Sequence, residues 1–270
     1  MEITFLGTGG GRFSTIYQRR KTGGIRFVDE KNNIHIDPGP GALLLSHRFD
    51  LNPLDINTVI LTHAHPDHYN DIEVLIEAMT RGGTNKSGNF LSCESGLRKV
   101  GNFGPVVSEY HRDLTSRNVL LEEGNEIALK GNIEVSPKKV RHSDPSTHGL
   151  VIKTEEGRIG YTSDTSFFEG MRKKFEGSRL LVLNVTRPRD SSIKGHLSTE
   201  DAVKLVNEIE PEVVVLTHFG FKMLDKGPKK EAEFIEEKTD IKSIAAEDGM
   251  KIKFNEDINL RGITKPITRY

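Results

Sequence analysis

Four residues with clear potential for chemistry lie within six positions of the chain: His63, His65, Asp67 and His68. They follow Val59-Ile60-Leu61, a short apolar run that predicts a buried strand. Imidazole and carboxylate groups suit zinc, and also manganese or iron. Two sets of such ligands side by side favour two ions about 3.5–4 Å apart, as in two-metal hydrolases. The segment therefore predicts a two-metal site.

The strand in front of this segment predicts how its side chains point. Alternation along a strand would place His63 and His65 on one side. Pro66 would stiffen the turn after them, so that Asp67 and His68 reach a neighbouring position. The alternative is a set of unrelated polar residues at a helix start, with Asp67 as the cap. We favour metal binding because four ligands are packed into so short a segment.

The composition narrows the class of protein. A chain of 270 residues is long enough for one large domain or two small ones. The formal net charge of −1 gives no overall attraction to nucleic acid or anionic lipid, although a local basic patch is compatible with it. No apolar run has the length of a membrane span, and residues 1–7 lack the regions of a signal peptide. The single cysteine, Cys93, fits a reducing cytoplasm, so we expect a cytoplasmic protein without membrane association.

Apolar periodicity predicts short strands alternating with helices. Leu61-Thr62-His63 and Leu216-Thr217-His218 repeat one tripeptide, so two strands would each deliver an imidazole to a sheet edge. Ser198 is predicted to cap a helix whose third residue is Asp201. Asn32-Asn33 is predicted as a turn, and residues 81–104 as a loop with one short strand. The predicted strands are 3–6, 25–28, 34–37, 59–61, 90–91, 133–135, 150–152, 158–161, 180–183, 213–216 and a pair within 241–254; the predicted helices are 42–47, 71–79, 199–209 and 229–238.

The segment Thr62-His63-Ala64-His65-Pro66-Asp67-His68 resembles the His-x-His-x-Asp-His signature of the metallo-β-lactamase superfamily. The likeness covers Met1 to about Phe219. It implies an α/β fold, the metallo-β-lactamase αββα four-layer sandwich, as a single hydrolase domain over residues 1–270 with the site at the sheet edges. The other matching segments are Phe5–Gly9, Asp37-Pro38-Gly39, Arg141-His142, Thr162–Thr165 and Leu216-Thr217-His218.

Carried over by position, the resemblance implies a complete ligand set and a metal-bridging hydroxide as the nucleophile. Asp67 and His196 are predicted as catalytic residues. His148 competes with His142 for one ligand position, and we favour His142 because it follows a strand and leaves the usual gap before Gly149. His148 would then lie behind the ligands or face the substrate. The implied ligands are His63, His65 and His142 for the first ion, Asp67, His68 and His218 for the second, and Asp164 for both.

The opening residues 1–9 resemble the ribonuclease Z branch and the related cyclic phosphodiesterases of phosphonate breakdown. In that branch a histidine placed like His196 protonates the leaving oxygen, a step worth about 10²–10⁴-fold in rate. The alternative for His196 is a helix-entry residue with no chemistry. The sequence departs from ribonuclease Z at Leu183-Asn184-Val185-Thr186, where that branch has His-Glu-Ala-Thr, and it lacks a Gly-Pro-rich arm.

These observations favour hydrolysis of a phosphodiester, with a small or cyclic phosphodiester at least as suitable a substrate as RNA. The rivals are a thioesterase or lactonase of the same fold, and a metal-binding or redox-sensing protein without hydrolysis. We expect two divalent ions, zinc foremost, with manganese or iron as alternatives. The resemblance alone favours a homodimer.

Three further segments have competing interpretations. Arg81 and Lys86 lie on a glycine-rich loop that would either steady a phosphate or be solvated. The glycines 7–11 lack the spacing of a dinucleotide-binding loop, because Arg12 stands at the third glycine position, so we interpret them as a turn that lets the backbone pass close to the site. Cys93 is too isolated to predict as a nucleophile.

Overall fold

The computed structural model describes residues 1–263; residues 264–270, the end of the predicted domain, lie outside them. The described part is an α/β chain. Its strands β1–β15 are Glu2–Phe5, Ile25–Val28, Asn33–Ile36, Thr58–Leu61, Asn89–Ser92, Arg117–Leu120, Ile127–Ala128, Glu134–Lys139, His148–Thr154, Gly157–Tyr161, Ser178–Asn184, Val213–Thr217, Ser243–Ala245, Met250–Phe254 and Ile258–Ile263. Its helices α1–α10 are Gly11–Tyr17, Ala42–Arg48, Pro66–Tyr69, Ile72–Met79, Glu94–Leu97, Glu109–Leu114, Met171–Phe175, Thr199–Ile209, Phe221–Lys226 and Pro228–Thr239, and a 3-10 turn covers Pro53–Asp55. No helix in residues 1–263 combines the length and the apolar character needed to cross a membrane.

The first of two compact units contains Met1–Thr8, Lys21–Leu121 and, of the described residues, 247–263. It carries a mixed eight-stranded sheet in the order β15-β14-β1-β2-β3-β4-β5-β6. Strands β3 to β6 are parallel. Strand β4 is buried at every position and packs with the buried face of α4. Because β3 and β4 are parallel, the residues that follow them, Asp37 and Thr62, lie at the same edge of the sheet.

The second unit contains Gly9–Arg20 and Glu122–Ala246. Its seven-stranded sheet has the order β13-β12-β11-β10-β9-β8-β7. Strands β10 to β13 are parallel, whereas β7 to β10 pair antiparallel. Asp164 follows β10, Asn184 ends β11 and His218 follows β12. Three neighbouring parallel strands therefore bring these polar side chains to one edge.

Helix α8 shows how the sequence specifies an element beside this edge. Its apolar residues recur at helical spacing and are buried in the core of the second unit: Ala202, Leu205, Val206 and Ile209. The Ser198 hydroxyl accepts from the backbone N–H of Asp201, and the Asp201 carboxylate accepts from the backbone N–H of Ser198. This capping box begins the helix at the predicted residue and holds the chain just after His196.

The structure corrects one predicted turn. The chain between β2 and β3 turns over residues 29–32, and Asn33 is already the first residue of β3. The Asp29 carboxylate accepts from the backbone N–H groups of Lys31 and Asn32, which stabilises the tighter turn. The predicted Asn32-Asn33 turn is therefore wrong by one residue: Asn32 ends the turn, and Asn33 lies in β3.

Candidate metal centre

In the first unit, the segment after β4 gathers its histidines closely. His63 Nε2 and His65 Nδ1 are 3.0 Å apart, and the ring centroids of His63 and His68 are 4.0 Å apart. The grouping arises in a loop rather than on an extended strand, because β4 ends at Leu61 and α3 begins at Pro66. His68 Nε2 lies 3.7 Å from Asp67 Oδ2. The predicted side chains of this segment are thus brought together locally.

The separation of the first two nitrogens fits a shared ion. Two nitrogens that bind one zinc ion at about 2.0–2.1 Å can be no more than about 4.2 Å apart. His63 Nε2 and His65 Nδ1 satisfy this limit. His63 is fully buried, so its ring has little freedom to leave the position.

Asp37 orients this segment from the neighbouring strand. Its carboxylate accepts from the Thr62 backbone N–H at 2.8 Å and from the Thr62 hydroxyl at 2.7 Å. His68 Nδ1 lies 3.0 Å from Asp37 Oδ2, so the imidazole N–H donates to the carboxylate and Nε2 is the nitrogen that could bind a metal ion. Asp37 lies within the resemblance, but no role was predicted for it; its position after the strand parallel to β4 is the signal that would have found it.

In the second unit, Asp164 stands at the centre of the predicted side chains. His218 Nε2 is 3.3 Å from Asp164 Oδ1, and His142 Nε2 is 3.8 Å from Asp164 Oδ2. Asn184 donates from Nδ2 to Asp164 Oδ1 at 2.8 Å, which holds the carboxylate in place. Both oxygens of Asp164 thus face imidazole nitrogens, an arrangement that suits a bridging carboxylate.

The structure separates His142 from its competitor His148. His142 Nδ1 donates to the backbone carbonyl of Gly195 at 2.7 Å, which directs Nε2 toward Asp164. His148 begins β9, and its Nδ1 lies 2.8 Å from the carbonyl of Ser146. Burial, reinforced by the nearby charge of Lys139, lowers the pKa of His148 to about 4. His142, and not His148, belongs to the group of potential metal ligands that includes Asp164.

His196 lies beside the same carboxylate. Its Nδ1 is 3.5 Å from Asp164 Oδ2 and 3.1 Å from the hydroxyl oxygen of Thr186. Its ring stacks on that of His218 with centroids 5.9 Å apart, and Thr186 Oγ1 is also 2.9 Å from His218 Nδ1. Donor atoms of Asp164, His196 and His218 lie within 4.8 Å of one another. Thr186 and Asn184 are the additional residues of this unit that sequence reasoning missed, since neither is a ligand type that the resemblance assigns.

In the second unit, the backbone of the glycine-rich turn passes against the ring of His218 at Gly10. A Cβ on Gly10 would lie 2.2 Å from Cγ, Cδ2 and Nε2 of His218. His218 has a φ of 62°, a conformation that is uncommon for a residue with a side chain and recurs at functional sites. The turn therefore passes close to a predicted ligand, as expected from the sequence, although Gly11 already begins helix α1.

The remaining predicted features lie elsewhere. Arg81 and Lys86 have exposed side chains on a turn after α4, as the solvated-loop interpretation expects. Cys93 is fully buried, and its Sγ is 3.3 Å from the hydroxyl oxygen of Ser95. A buried thiol of this kind gives no support to a nucleophilic role.

Comparison with known proteins identifies the family. The model of the β-lactamase superfamily domain matches residues 32–219. The chain belongs to this family. As a β-lactamase superfamily domain it is similar to the Uncharacterized protein MJ1374 of Methanocaldococcus jannaschii, with 38% identity over 255 residues that span 94% of this chain and 95% of that protein. It is also similar to the ribonuclease Z of Thermococcus onnurineus, at 22% identity over 82% of this chain and 86% of that enzyme.

A solved structure shows the fold of the β-lactamase superfamily domain. The metallo-β-lactamase fold protein YhfI from Bacillus subtilis matches with a TM-score of 0.76 at 19% identity, covering 93% of this chain and 98% of YhfI. The chain therefore has the metallo-β-lactamase fold, and the predicted α/β class and family are confirmed.

Proposed function

We propose that this chain is a two-metal phosphodiesterase. The proposal rests on the imidazole and carboxylate donors, on the close nitrogens of His63 and His65, and on the two imidazoles that face Asp164. Zinc suits this donor set best, with manganese or iron as alternatives. The proposed ligands are His63, His65 and His142 for the first ion, Asp67, His68 and His218 for the second, and Asp164 for both.

Bound divalent ions would supply a hydroxide at neutral pH, by lowering the pKa of water, and would offset the charge of the phosphate. The chain's own residues would orient the side chains that bind these ions. Asp37 fixes the ring of His68, and Asn184 fixes the carboxylate of Asp164. Asp67 and His196 are the proposed catalytic residues.

The position of His196 is the observation that favours hydrolysis of a phosphodiester over hydrolysis of a thioester. Its side chain is 16% exposed, whereas those of His142 and His218 are 1% and 6% exposed. His196 is therefore the imidazole of this unit that a substrate reaches from solvent, and we propose that it protonates the leaving oxygen. An alkoxide leaving group needs such a proton, whereas a thiolate, with an ordinary pKa of about 8.5, needs it much less. The similarity to proteins named ribonuclease Z supports the same choice.

Metal analysis joined to a chromogenic phosphodiester assay tests the proposal. The purified chain, refilled with zinc, manganese or iron, is expected to hold two ions and to cleave bis(p-nitrophenyl) phosphate. His196→Ala should lower the rate of cleavage of the dinucleotide ApA, which releases an alkoxide, by about 10²–10⁴-fold with the metal content unchanged. The same variant should slow the cleavage of bis(p-nitrophenyl) phosphate much less, because p-nitrophenolate leaves without a proton. His111→Ala is the matched control, because the His111 side chain is also 16% exposed but lies on α6 among Ser108 and Glu77.

Each alternative has its own outcome. Cleavage of thioesters or lactones without cleavage of phosphodiesters would make the chain an acyl hydrolase of the same fold. Bound metal without hydrolysis of either class would make it a metal-binding protein. Fewer than one ion per chain after refilling would refute the metal centre itself. The homodimer, the cytoplasmic location and the single domain over residues 1–270 stay predictions, and light scattering on the purified protein tests the first.

A further inference from the structure

A cavity of about 570 Å³ opens in the second unit, within the range of small-molecule sites. Its walls come from the end of β8, the residues just after it, the segment before α7 and α7 itself. The cations that line it are Lys139, Arg141, Lys173 and Lys174, and the acids are Glu123 and Glu169. We call it the basic cavity, because four cations face two carboxylates there.

One ion pair in the basic cavity leaves three cations, Lys139, Arg141 and Lys173, against the single carboxylate of Glu169. Lys174 Nζ is 2.5 Å and 2.8 Å from the two carboxylate oxygens of Glu123, so that pair neutralises itself. Within residues 1–263, neither Arg141 nor Lys173 has a carboxylate at ion-pair distance. Both are exposed. The basic cavity therefore presents a guanidinium and an ammonium that an anion can reach.

Arg141 is positioned rather than loosely solvated. Its guanidinium carbon lies 4.9 Å from the centroid of the Phe168 ring, and Phe168 is only 8% exposed. The Arg141 backbone N–H donates to the Thr165 hydroxyl at 3.1 Å, and its carbonyl accepts from the Ser166 N–H at 2.9 Å. A guanidinium held over an aromatic ring can still offer its fork of donors to the oxygens of a phosphate.

The basic cavity adjoins the proposed metal ligands in the sequence. Arg141 is followed directly by His142, whose Nε2 faces Asp164. The Arg141 backbone N–H also donates to the hydroxyl of Thr165, which directly follows Asp164, so the backbone that carries Arg141 lies beside the backbone that carries the proposed bridging carboxylate. Since the proposed reaction cleaves one phosphodiester, the neighbouring anion of a linear nucleotide chain is the next phosphate along it.

We propose that the basic cavity binds a second, uncleaved phosphate of the substrate. This inference rests on the proposed phosphodiesterase function and makes it more specific. A cyclic mononucleotide has one phosphate and gains nothing from the basic cavity. A linear nucleotide with two or more phosphates places its charge on Arg141 and Lys173, so the inference selects linear phosphorylated nucleotides as the substrate class.

The test compares dinucleotides with the same scissile bond: ApA, its 5′-phosphorylated form pApA and its 3′-phosphorylated form ApAp. The metal-loaded enzyme is expected to show a KM about tenfold lower for one phosphorylated form than for ApA, since a bond to a charged group is worth about that factor. Arg141→Gln and Lys173→Gln should each reduce this preference, and the double variant should abolish it. Lys229→Gln, at an exposed lysine of α10 outside the basic cavity, should retain it.

Two features keep the result decisive. Lys173 lies on α7, away from the proposed ligands, so a loss of preference in Lys173→Gln cannot come from a disturbed His142. Binding of the same three dinucleotides is also measured calorimetrically with protein freed of metal, where no cleavage occurs. Equal affinity and equal KM for all three, or a preference that survives the double variant, would overturn the inference while leaving the phosphodiesterase intact. A phosphate preference in binding without cleavage of any dinucleotide would support the basic cavity and refute the proposed function.

Discussion

Replacing Gly10 by alanine gives the sharpest check on the geometry around His218. The backbone of Gly10 is extended, with φ −155° and ψ 163°, so alanine fits its conformation without strain. The new Cβ would nevertheless lie 2.2 Å from three atoms of the His218 ring. The variant therefore isolates a steric effect on one proposed ligand.

The size of the effect follows from these distances. Ordinary contacts begin near 3.4 Å, so the ring must retreat by about 1.2 Å from its present 2.2 Å. Metal–ligand distances tolerate only about ±0.2 Å. His218 should consequently be lost as a ligand, and one of two ions should bind at least about 10–100-fold more weakly. Overpacking should also lower the free energy of unfolding by about 1–3 kcal/mol.

Competition with a chromogenic chelator measures the zinc affinity, and thermal unfolding in excess chelator measures the metal-free stability. Gly82→Ala is the control, because a Cβ on Gly82 would meet nothing within 4 Å and the φ of this residue is +68°, so only backbone strain is introduced. The control should lose stability and keep its zinc affinity. If Gly10→Ala binds two ions as tightly as the natural chain, the contact between the turn and His218 has no part in metal binding.

Three other substitutions probe the surroundings of the centre. Asp37→Asn removes the carboxylate that accepts from His68, so zinc affinity should fall about 10–100-fold in the same titration, and an unchanged affinity would contradict the orienting role. Burial lowers the pKa of His148 from 6.5 to about 4, so below pH 6.5 the unfolded chain binds a proton at this imidazole more readily than the folded chain does. The contribution of neutral His148 to the free energy of unfolding should therefore be complete above pH 6.5 and should decline by up to about 3 kcal/mol as the pH falls toward 4. His148→Gln should flatten that decline in urea titrations, and an equally steep decline would exclude His148 as its source. Ser198→Ala removes the cap of α8 and should cost about 0.5–2 kcal/mol of unfolding free energy with an unchanged urea m-value; no measurable loss would mean that the cap is redundant.

Strong local signals explain the elements that the sequence predicted. Helix α8 begins and ends where expected, because its capping box and its apolar spacing agree. Strands β2, β4 and β12 are rich in apolar and β-branched residues, so their positions were also predicted. The short helix α1 was missed because only Ser14 is buried on it and its aromatic residues are exposed. Phe13, Ile16 and Tyr17 lie at helical spacing on one face, but that face is exposed. The bond from Ser14 Oγ to the Phe219 carbonyl, distant in sequence, helps to hold the helix.

Some residues of the candidate site could be predicted from one short segment, whereas others depend on contacts between segments that are distant in the sequence. His63, His65, Asp67 and His68 form one segment, so their types and spacing were enough to predict a metal site. Asn184 was beyond that reasoning, because its bond to Asp164 depends on the parallel register of two strands that the sequence does not state. Ligands thus have a signature in the sequence, whereas the residues that hold them are found through sheet topology.

The hydroxyl of Thr186 links the protonation of two imidazoles. It has a single hydrogen and lies within bonding distance of Nδ1 of both His196 and His218, so it can donate to only one of them. A His218 that offers Nε2 as a ligand carries its proton on Nδ1 and donates it to Thr186. Thr186 then donates its own hydrogen to Nδ1 of His196 if that nitrogen carries no proton, and otherwise accepts a second hydrogen bond from it. One threonine side chain thereby couples the tautomers of the two rings.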